Sequence, residues 1–332
     1  MKLGIFTSFD NGQELYEKSC QDLGVDYEVV DILSSDWIDN VLQADCDGFL
    51  CSSTSDFQER KTILDERYYF ISHILNKKIY PSFTELYIHE SKRNMAAWLE
   101  ISGFPHPRTH VFTDRKEALA FFESTSYPLV LKSNVGSHAS RVVIVKSKAK
   151  AKRITKKVFP GAHFQKLKIG WIFFTKVFGM KIYPDLAAPQ KFYLIAQDFK
   201  DIVHEWRIIK IGESYFGHQK LLKGEFASGS GRVGWVAPPK ELLLLVKNIC
   251  DRGHFVSMAV DVFETKEGEY FINELQSSFG SYLDSQMYID GKPGRFKLID
   301  GAFVFEEGFF NVHGSRKLRV EHFVQLLEKQ DK

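Results

Sequence analysis

Residues 260–276 constrain the fold more than any other stretch, because they read as a β-hairpin with acids set into apolar strands. Val260-Asp261-Val262-Phe263 leads to a turn at Lys266-Glu267-Gly268-Glu269, and Tyr270-Phe271-Ile272-Asn273-Glu274-Leu275-Gln276 returns. If Glu267-Gly268 is a two-residue loop closed by Lys266 and Glu269, the register sets Asp261 opposite Glu274 and Ala259 opposite Gln276. Opposed residues lie about 4.5–5.5 Å apart, and alternate residues share a face. Asp261, Glu274 and Gln276 then converge on one side, in the company of Ala259, Phe263 and Ile272. Two carboxylates so close raise each other's pKa unless a cation stands between them. Three oxygen donors without His or Cys suit Mg²⁺ or Mn²⁺. An ordinary amphipathic hairpin with solvated acids gives similar letters, so the reading needs partners elsewhere in the chain.

The chain has 332 residues, 44% of them hydrophobic and 14% aromatic, which is enough for two domains or a three-part enzyme with real cores. Its net charge of +2 says little about partners. The distribution says more: no acid occurs from Ser124 to Pro184, while Lys and Arg recur through Lys146–Lys157 to Lys181. That asymmetry suits a polyanionic ligand or surface, or a solvated basic helix beginning at Ser147. Cys20, Cys46, Cys51 and Cys250 form no CxxC or regular framework, which fits a reducing cytosol and a cytoplasmic location. The Met1–Phe6 start is too short for a signal peptide. No apolar run reaches the ~18 residues of a membrane span. Ile169–Tyr183 is apolar but broken by Gly170, Lys176, Gly179 and Lys181, which reads as a packed excursion or a membrane-surface segment.

Residues 1–88 alternate strand and helix: Lys2–Thr7, Gln13–Leu23, Tyr27–Asp31, Asp36–Gln43, Gly48–Cys51, Lys61–Leu75 and Lys78–Tyr80. This pattern predicts a small parallel α/β unit, with the Thr7–Gly12 loop where such sheets bind ligands. The loop lacks GxGxxG, so it marks no dinucleotide site. A helix follows from Ser91 to Ser102, with Lys92 at its start and a stop at Gly103. Strand Thr109–Thr113, an Asp114–Glu117 capping box and a helix to Glu123 come next. Strand Leu129–Lys132 runs into a small-residue loop containing Ser137 and His138, and Val142–Val145 returns. Such a flap presents backbone N–H groups to an anion, and a lysine just before it strengthens that reading. Phe192–Phe199, His204–Gly212 and Tyr215–Leu222 are strands, and a Gly/Ser loop carries Arg232. Pro238 and Pro239 open a long helix ending at Gly253, and the hairpin follows it.

In this order the pieces resemble the ATP-grasp superfamily. The resemblance runs from the N-terminal α/β unit to about Gly280: a helix-start lysine, a strand lysine before a flap, a Gln-acid-aromatic hinge, a strand glutamate, a basic strand, then Asp…Glu-x-amide. Glu205-Trp206-Arg207 and the Phe226…Arg232 loop look like the carboxylate–amine ligase branch that includes ribosomal-protein glutamate ligase and glutathione synthetase. The lead-in from Asp185 to Gln190 and the basic excursion look like ATP-grasp proteins of surface-polysaccharide loci.

The resemblance implies a mixed α/β and α+β fold. A Rossmann-like pre-ATP-grasp unit (1–88) would be followed by two ATP-grasp subdomains (89–195 and 196–332). It implies that Lys92 and Lys132, with Ser137 in the flap, hold the ATP phosphates. Gln197, Asp198 and Phe199 would flank the adenine, and Glu205 would bind the ribose. Asp261, Glu274 and Gln276 would hold Mg²⁺ or Mn²⁺. Arg207, Lys220 and Arg232 would face the γ-phosphate and an acyl-phosphate, with His138 or His218 as a base for the amine. Two features depart from the family: Ser137-His138-Ala139-Ser140-Arg141 stands where several glycines are usual, and Gln276 stands where Asn is usual.

The function implied is an ADP-forming ligase that joins a carboxylate to an amine, with a uronic acid of a surface polysaccharide or a peptide as acceptor. A nucleotide-binding regulator or scaffold without turnover is the alternative from another class. A polyanion-binding module is a third, although aromatic interleaving occurs only around Trp171–Phe174 and no nucleic-acid motif is present. The segment Ser281–His313, rich in Gly and Phe, is expected to line the substrate groove.

Overall fold

The computed structural model describes residues 1–54, 57–136, 142–159, 192–225, 227, 231–280 and 282–330. The chain forms two compact units, one from Met1–His106 and Asp201–Lys332, the other from Pro107–Gly136 and Ser140–Lys200. Ser137, His138 and the Ile169–Tyr183 segment lie outside the described residues.

The first unit begins with a parallel sheet of β1 (Lys2–Phe6), β2 (Asp26–Val30), β3 (Gly48–Leu50) and β4 (Ile79–Tyr80), in the order β2-β1-β3-β4. Leu3, Ile5, Phe6, Phe49 and Leu50 are buried because both faces are covered. Val41, Leu64, Tyr68 and Ile71 from the intervening segments cover one face. Tyr16 and Cys20 cover the other, joined by Val320, Phe323 and Leu327 from the final helix, Arg316–Gln330. Gly48 permits that approach, since a β-carbon there would collide with the Phe323 ring. The expected Lys61–Leu75 helix is Gln58–Tyr69 continued by a π-helical turn, Phe70–Ile74. A short helix, Phe83–Ile88, carries a complete capping box between Ser82 and Glu85 that the sequence reading passed over.

The second unit holds an antiparallel sheet of β5 (Thr109–Phe112), β6 (Leu129–Lys132), β7 (Val142–Val145) and β8 (Leu194–Asp198), in the order β5-β8-β6-β7. Helices Arg115–Ser124 and Lys148–Val158 pack on it through Ala118, Phe122 and Ala151. Asp114 caps the first by accepting from the Lys116 and Glu117 amides, and Ser147 caps the second. Lys148 and Lys152 pair with Glu123, so part of the basic stretch is neutralised locally.

The large sheet belongs to the first unit. It contains β9 (Ile202–Ile211), β10 (Ser214–Leu221), β11 (Val233–Gly234), β12 (Ser257–Thr265), β13 (Tyr270–Gln276), β14 (Tyr288–Ile289), β15 (Lys292–Ile299) and β16 (Ala302–Glu307). The order is β13-β12-β9-β10-β15-β14, with β11 on β10 and β16 on β15. The segment after Gly280 therefore supplies β14–β16. The Lys240–Gly253 helix seats Leu242, Leu243, Val246 and Ile249 on Trp206, Ile208, Val260, Val262, Ile272 and Leu275. Strand alternation leaves Glu205, Arg207 and Asp261 on the opposite face.

The hairpin differs from expectation in two places that cancel. Its loop has three residues, Lys266–Gly268: the Thr265 amide donates to Glu269 O at 3.0 Å, and the Gly268 amide donates to Thr265 O at 3.0 Å. Gly268 takes φ +78, a value that favours glycine. The pairs near the loop are thus Glu264–Tyr270, Phe263–Phe271 and Val262–Ile272. A β-bulge then absorbs Asn273, and the pairs beyond it are Asp261–Glu274, Val260–Leu275 and Ala259–Gln276. The acids are opposed as expected, by a different route. The bulge also corrects one placement: Ile272 joins the core under the helix rather than the acid face.

Candidate active site

Three strand pairings set a row of side chains across the large sheet. Arg207 on β9 is opposite Asp261 on β12 and His218 on β10, and Asp261 is opposite Glu274 on β13. Two residues earlier on β9, Glu205 is opposite Lys220 on β10. Both rows stand on the face away from the long helix.

The contacts centre on Asp261. Arg207 grips it with a fork, Nε to Oδ1 at 2.9 Å and Nη2 to Oδ2 at 2.9 Å. The same Nη2 donates to Gln276 Oε1 at 2.7 Å. Lys220 Nζ donates to Asp261 Oδ2 at 2.8 Å and pairs with Glu205. Asn273 Nδ2 donates to Glu205 Oε2 at 2.9 Å. Lys92 Nζ lies 4.0 Å from Glu274 Oε1. Asp261 and Glu205 are each 1% exposed, so neither carboxylate is stabilised by bulk water.

The cation that the opposed acids require is thus supplied by the protein itself. Burial opposes ionisation of Asp261, but Arg207 and Lys220 outweigh it and hold its carboxyl well below the usual carboxylate range. Glu205 behaves oppositely. Burial raises its pKa, Lys220 pulls it down, and the neighbouring charges of Asp261 and Glu274 push it up again. Burial alone would lower the Lys220 pKa, yet Asp261 and Glu205 raise it, so Lys220 stays a cation. His218 Nδ1 is 2.8 Å from Gln286 O. A carbonyl only accepts, so Nδ1 carries the proton. Burial pushes the His218 pKa down to about 4, which makes it a weak proton acceptor at neutral pH.

Sequence reasoning grouped Asp261, Glu274 and Gln276 on the hairpin and named Glu205, Arg207 and Lys220 on other strands, and the large sheet brings the two sets together. Lys92 opens the Lys92–Ser102 helix; Ser91 holds the N-cap position without a side-chain cap bond. Arg232 precedes β11, and its carbonyl accepts from the Leu221 amide at 3.0 Å. Lys132, Gln197 and Asp198 belong to the second unit, with Lys132 ending β6 beside Ile195 of β8. There Gln197 Nε2 donates to Thr109 Oγ1 at 2.9 Å, and the Asp198 amide donates to Arg108 O at 2.9 Å. Phe199 follows directly after β8.

Asn273 was missed, and so was the aromatic pair beside His218. Trp235 lies 5.6 Å from the His218 ring and 4.7 Å from Tyr288, centroid to centroid. The signal for Asn273 was present: Asn273-Glu274 puts two polar residues in succession after Ile272, and that break in alternation marks a bulge.

No protein-family model matches the sequence, and no curated protein matches it. Solved structures do match. The chain is similar to a RimK domain ATP-grasp protein from Sphaerobacter thermophilus, at 15% identity and TM-score 0.53, over 83% of this chain and 90% of that one. It is similar to the D-alanine–D-alanine ligase of Bacillus anthracis, at 14% identity and TM-score 0.55, over 99% of each chain. A third match is N5-carboxyaminoimidazole synthetase from Staphylococcus aureus complexed with ADP, at 13% identity and TM-score 0.59, over 90% of this chain and 82% of that one.

The chain has the ATP-grasp fold.

The sequence leads to the expectation of a divalent ion on the hairpin, and the residues present fit one in kind. Asp261, Glu274 and the Gln276 amide offer oxygen alone, as hard cations prefer. Asp261 accepts three hydrogen bonds of the roughly four that carboxylate lone pairs allow. Glu274 stands 4.0 Å from Lys92 and is 17% exposed, so its oxygens are open to a further ligand. Among the described residues no group of three or more His, Cys, Asp or Glu forms a ready-made metal cage. A metal would have to share Asp261 with Arg207 and Lys220.

Proposed function

We propose that this protein is an ATP-dependent, ADP-forming ligase that joins a carboxylate to an amine through an acyl-phosphate. The observation that carries the reading is the Glu205–Lys220–Asp261–Arg207–Gln276 network on one face of an ATP-grasp sheet, with Glu274 and Lys92 beside it. Attack by a carboxylate on a γ-phosphorus brings two anions together, and catalysis is then mostly positioning and charge neutralisation. Arg207 and Lys220 are held as cations by Asp261 and are fixed before any substrate arrives. Asp261, Glu274 and Gln276 would hold Mg²⁺, which when bound would neutralise phosphate charge. Lys92, Lys132, Ser137, Gln197, Asp198, Phe199 and Glu205 would hold ATP, and Arg232 would join Arg207 and Lys220 at the acyl-phosphate. Asn273 fixes the Glu205 carboxylate. Trp235 and Tyr288 offer a ring-stacking wall beside His218 for the acceptor.

The acid-free, basic stretch from Ser124 to Pro184 supports a polyanionic acceptor, such as a uronic acid of a surface polysaccharide or a carboxylate on a peptide. No described helix is long and apolar enough to cross a membrane. The test is incubation of the full chain with ATP, Mg²⁺ and panels of acid–amine pairs, with hydroxylamine present to trap an acyl-phosphate as the hydroxamate. ADP and hydroxamate should accumulate with one acid class and vanish in Glu274→Ala. Tight ATP binding without ADP release for any pair would instead favour a regulator without turnover.

A further inference from the structure

The final helix carries two arginines one turn apart, Arg316 and Arg319, and among the described residues neither makes a salt bridge. Arg319 is 1% exposed, donates Nε to Ser257 Oγ at 3.1 Å and Nη2 to Phe279 O at 3.1 Å, and lies 3.9 Å over the Phe279 ring. Its charge rests on neutral acceptors alone. Arg316 is held less well. Nη1 reaches His313 O at 3.4 Å and Gly314 O at 3.5 Å, both long, and Nε is buried without an acceptor. Burial lowers the Arg316 pKa, and Tyr16 and Asp10 offset this only in part. A partly buried guanidinium with no hydrogen-bonded counter-ion is costly even with the Asp10 charge nearby, and an arginine fork matches a carboxylate or a phosphate.

The surroundings point the same way. Strand order reverses at β1, which pairs with β2 on one side and β3 on the other, and open parallel sheets bind ligands outside the carboxyl ends at such a point. Arg316 stands 5.7 Å over the ring of Tyr16, near the start of the Gln13–Leu23 helix that leaves β1. In the loop before that helix, a β-carbon on Gly12 would lie 3.2 Å from Ser8 Oγ and 3.3 Å from both Asp10 Oδ1 and Ser52 Oγ, so two hydroxyls meet there beside a carboxylate that already accepts from Ser8 Oγ at 2.9 Å. On the other side, a β-carbon on Gly280 would lie 3.2 Å from Arg316 Nη1. Gly280 follows Gln276 by four residues, so the arginine adjoins the loop leaving the candidate active site.

We propose that Arg316 anchors an anion site at the carboxyl end of the N-terminal sheet, taking a carboxylate or phosphate group of the substrate. That the anion belongs to the substrate rests on the ligase reading; that the site binds an anion does not. In the test, inorganic phosphate and succinate are titrated in separate arms into the full chain without ATP, and arginine Nε–H resonances are followed by NMR. One resonance, identified by its loss in Arg316→Lys, should shift saturably with one of the two anions, and the responding arm names the chemistry. Arg316→Gln should weaken that binding at least about tenfold, while Arg252→Gln, an exposed control, leaves it unchanged. Absence of a saturable shift in both arms, or full affinity in Arg316→Gln, overturns the proposal. Should Arg316→Gln not fold, Arg316→Lys serves, since a lysine cannot offer the fork. Phosphate or succinate binding that survives in a chain with no ligase activity would separate failure of the ligase reading from failure of this one.

Discussion

Asp261 is the residue whose loss the site tolerates least. It is 1% exposed and answers two cations, so Asp261→Asn leaves Arg207 and Lys220 facing each other with Glu205 as the remaining buried acid. Breaking a buried pair by removing one partner costs about 3–5 kcal/mol, and the variant should show that loss in urea unfolding. Because the folded pKa of Asp261 is depressed, its contribution is fully present above the unfolded value of about 3.9 and is lost as pH falls through the folded value in strong acid. Glu85 works with the opposite sign. It is fully buried, accepts from the Ser82, Val256 and Ser257 amides, and burial pushes its pKa from 4.5 to about 7. Between those values the folded state binds the proton more tightly than the unfolded chain, so stability falls as pH rises through that window. The fall should approach about 3 kcal/mol, at roughly 1.36 kcal/mol per pKa unit. Urea midpoints measured from pH 4.5 to 7.5 should show it, and Glu85→Gln should flatten the slope even if it lowers every midpoint.

The hairpin shows why some elements could be read and others could not. The opposition of Asp261 and Glu274 was legible because apolar alternation and a Gly turn specify a register. It came out right although the loop is one residue longer than expected, because Asn273 bulges and restores the count. Arg207 and Lys220 were legible as basic residues on strands, but which carboxylate each meets depends on neighbour strands far away in sequence. The final helix was not legible at all: Leu318, Val320, Phe323 and Leu327 acquire meaning only against the first sheet or its neighbours. The bulge itself can be tested. Ile272 already faces Val262, so deleting Asn273 should straighten β13 while leaving Glu274 opposite Asp261. Asn273→Ala should cost about 1–3 kcal/mol by leaving the buried Glu205 without its amide donor. If the bulge serves to place that amide, the deletion costs a similar amount in thermal melts. A far larger loss would mean that the bulge also shapes the strand that carries Glu274.

At the scale of the whole chain, the N-terminal sheet is completed by the last residues of the sequence. One face of β1 and β3 rests on helices that follow in sequence, and the other needs Val320, Phe323 and Leu327. Each such side chain is worth about 1.5–3 kcal/mol when buried, so the three supply roughly 5–9 kcal/mol. Whole proteins are stable by only about 5–15 kcal/mol. Gly48 is fitted to the Phe323 ring, and Arg319 ties the same helix to Ser257 on β12 and to the carbonyl of Phe279. The final helix therefore links the N-terminal sheet to the strand that carries Asp261. A chain truncated after Gly314 should lose the cooperative urea transition and bind a hydrophobic dye through the uncovered faces of Leu3, Ile5 and Leu50. Phe323→Ala in the full chain should remain folded and lose about 3–5 kcal/mol, the usual cost of emptying a buried aromatic position. A truncated chain with an unchanged unfolding midpoint would reduce the helix to a peripheral attachment. It would also leave the N-terminal sheet without an account of how Leu3, Ile5 and Leu50 avoid water.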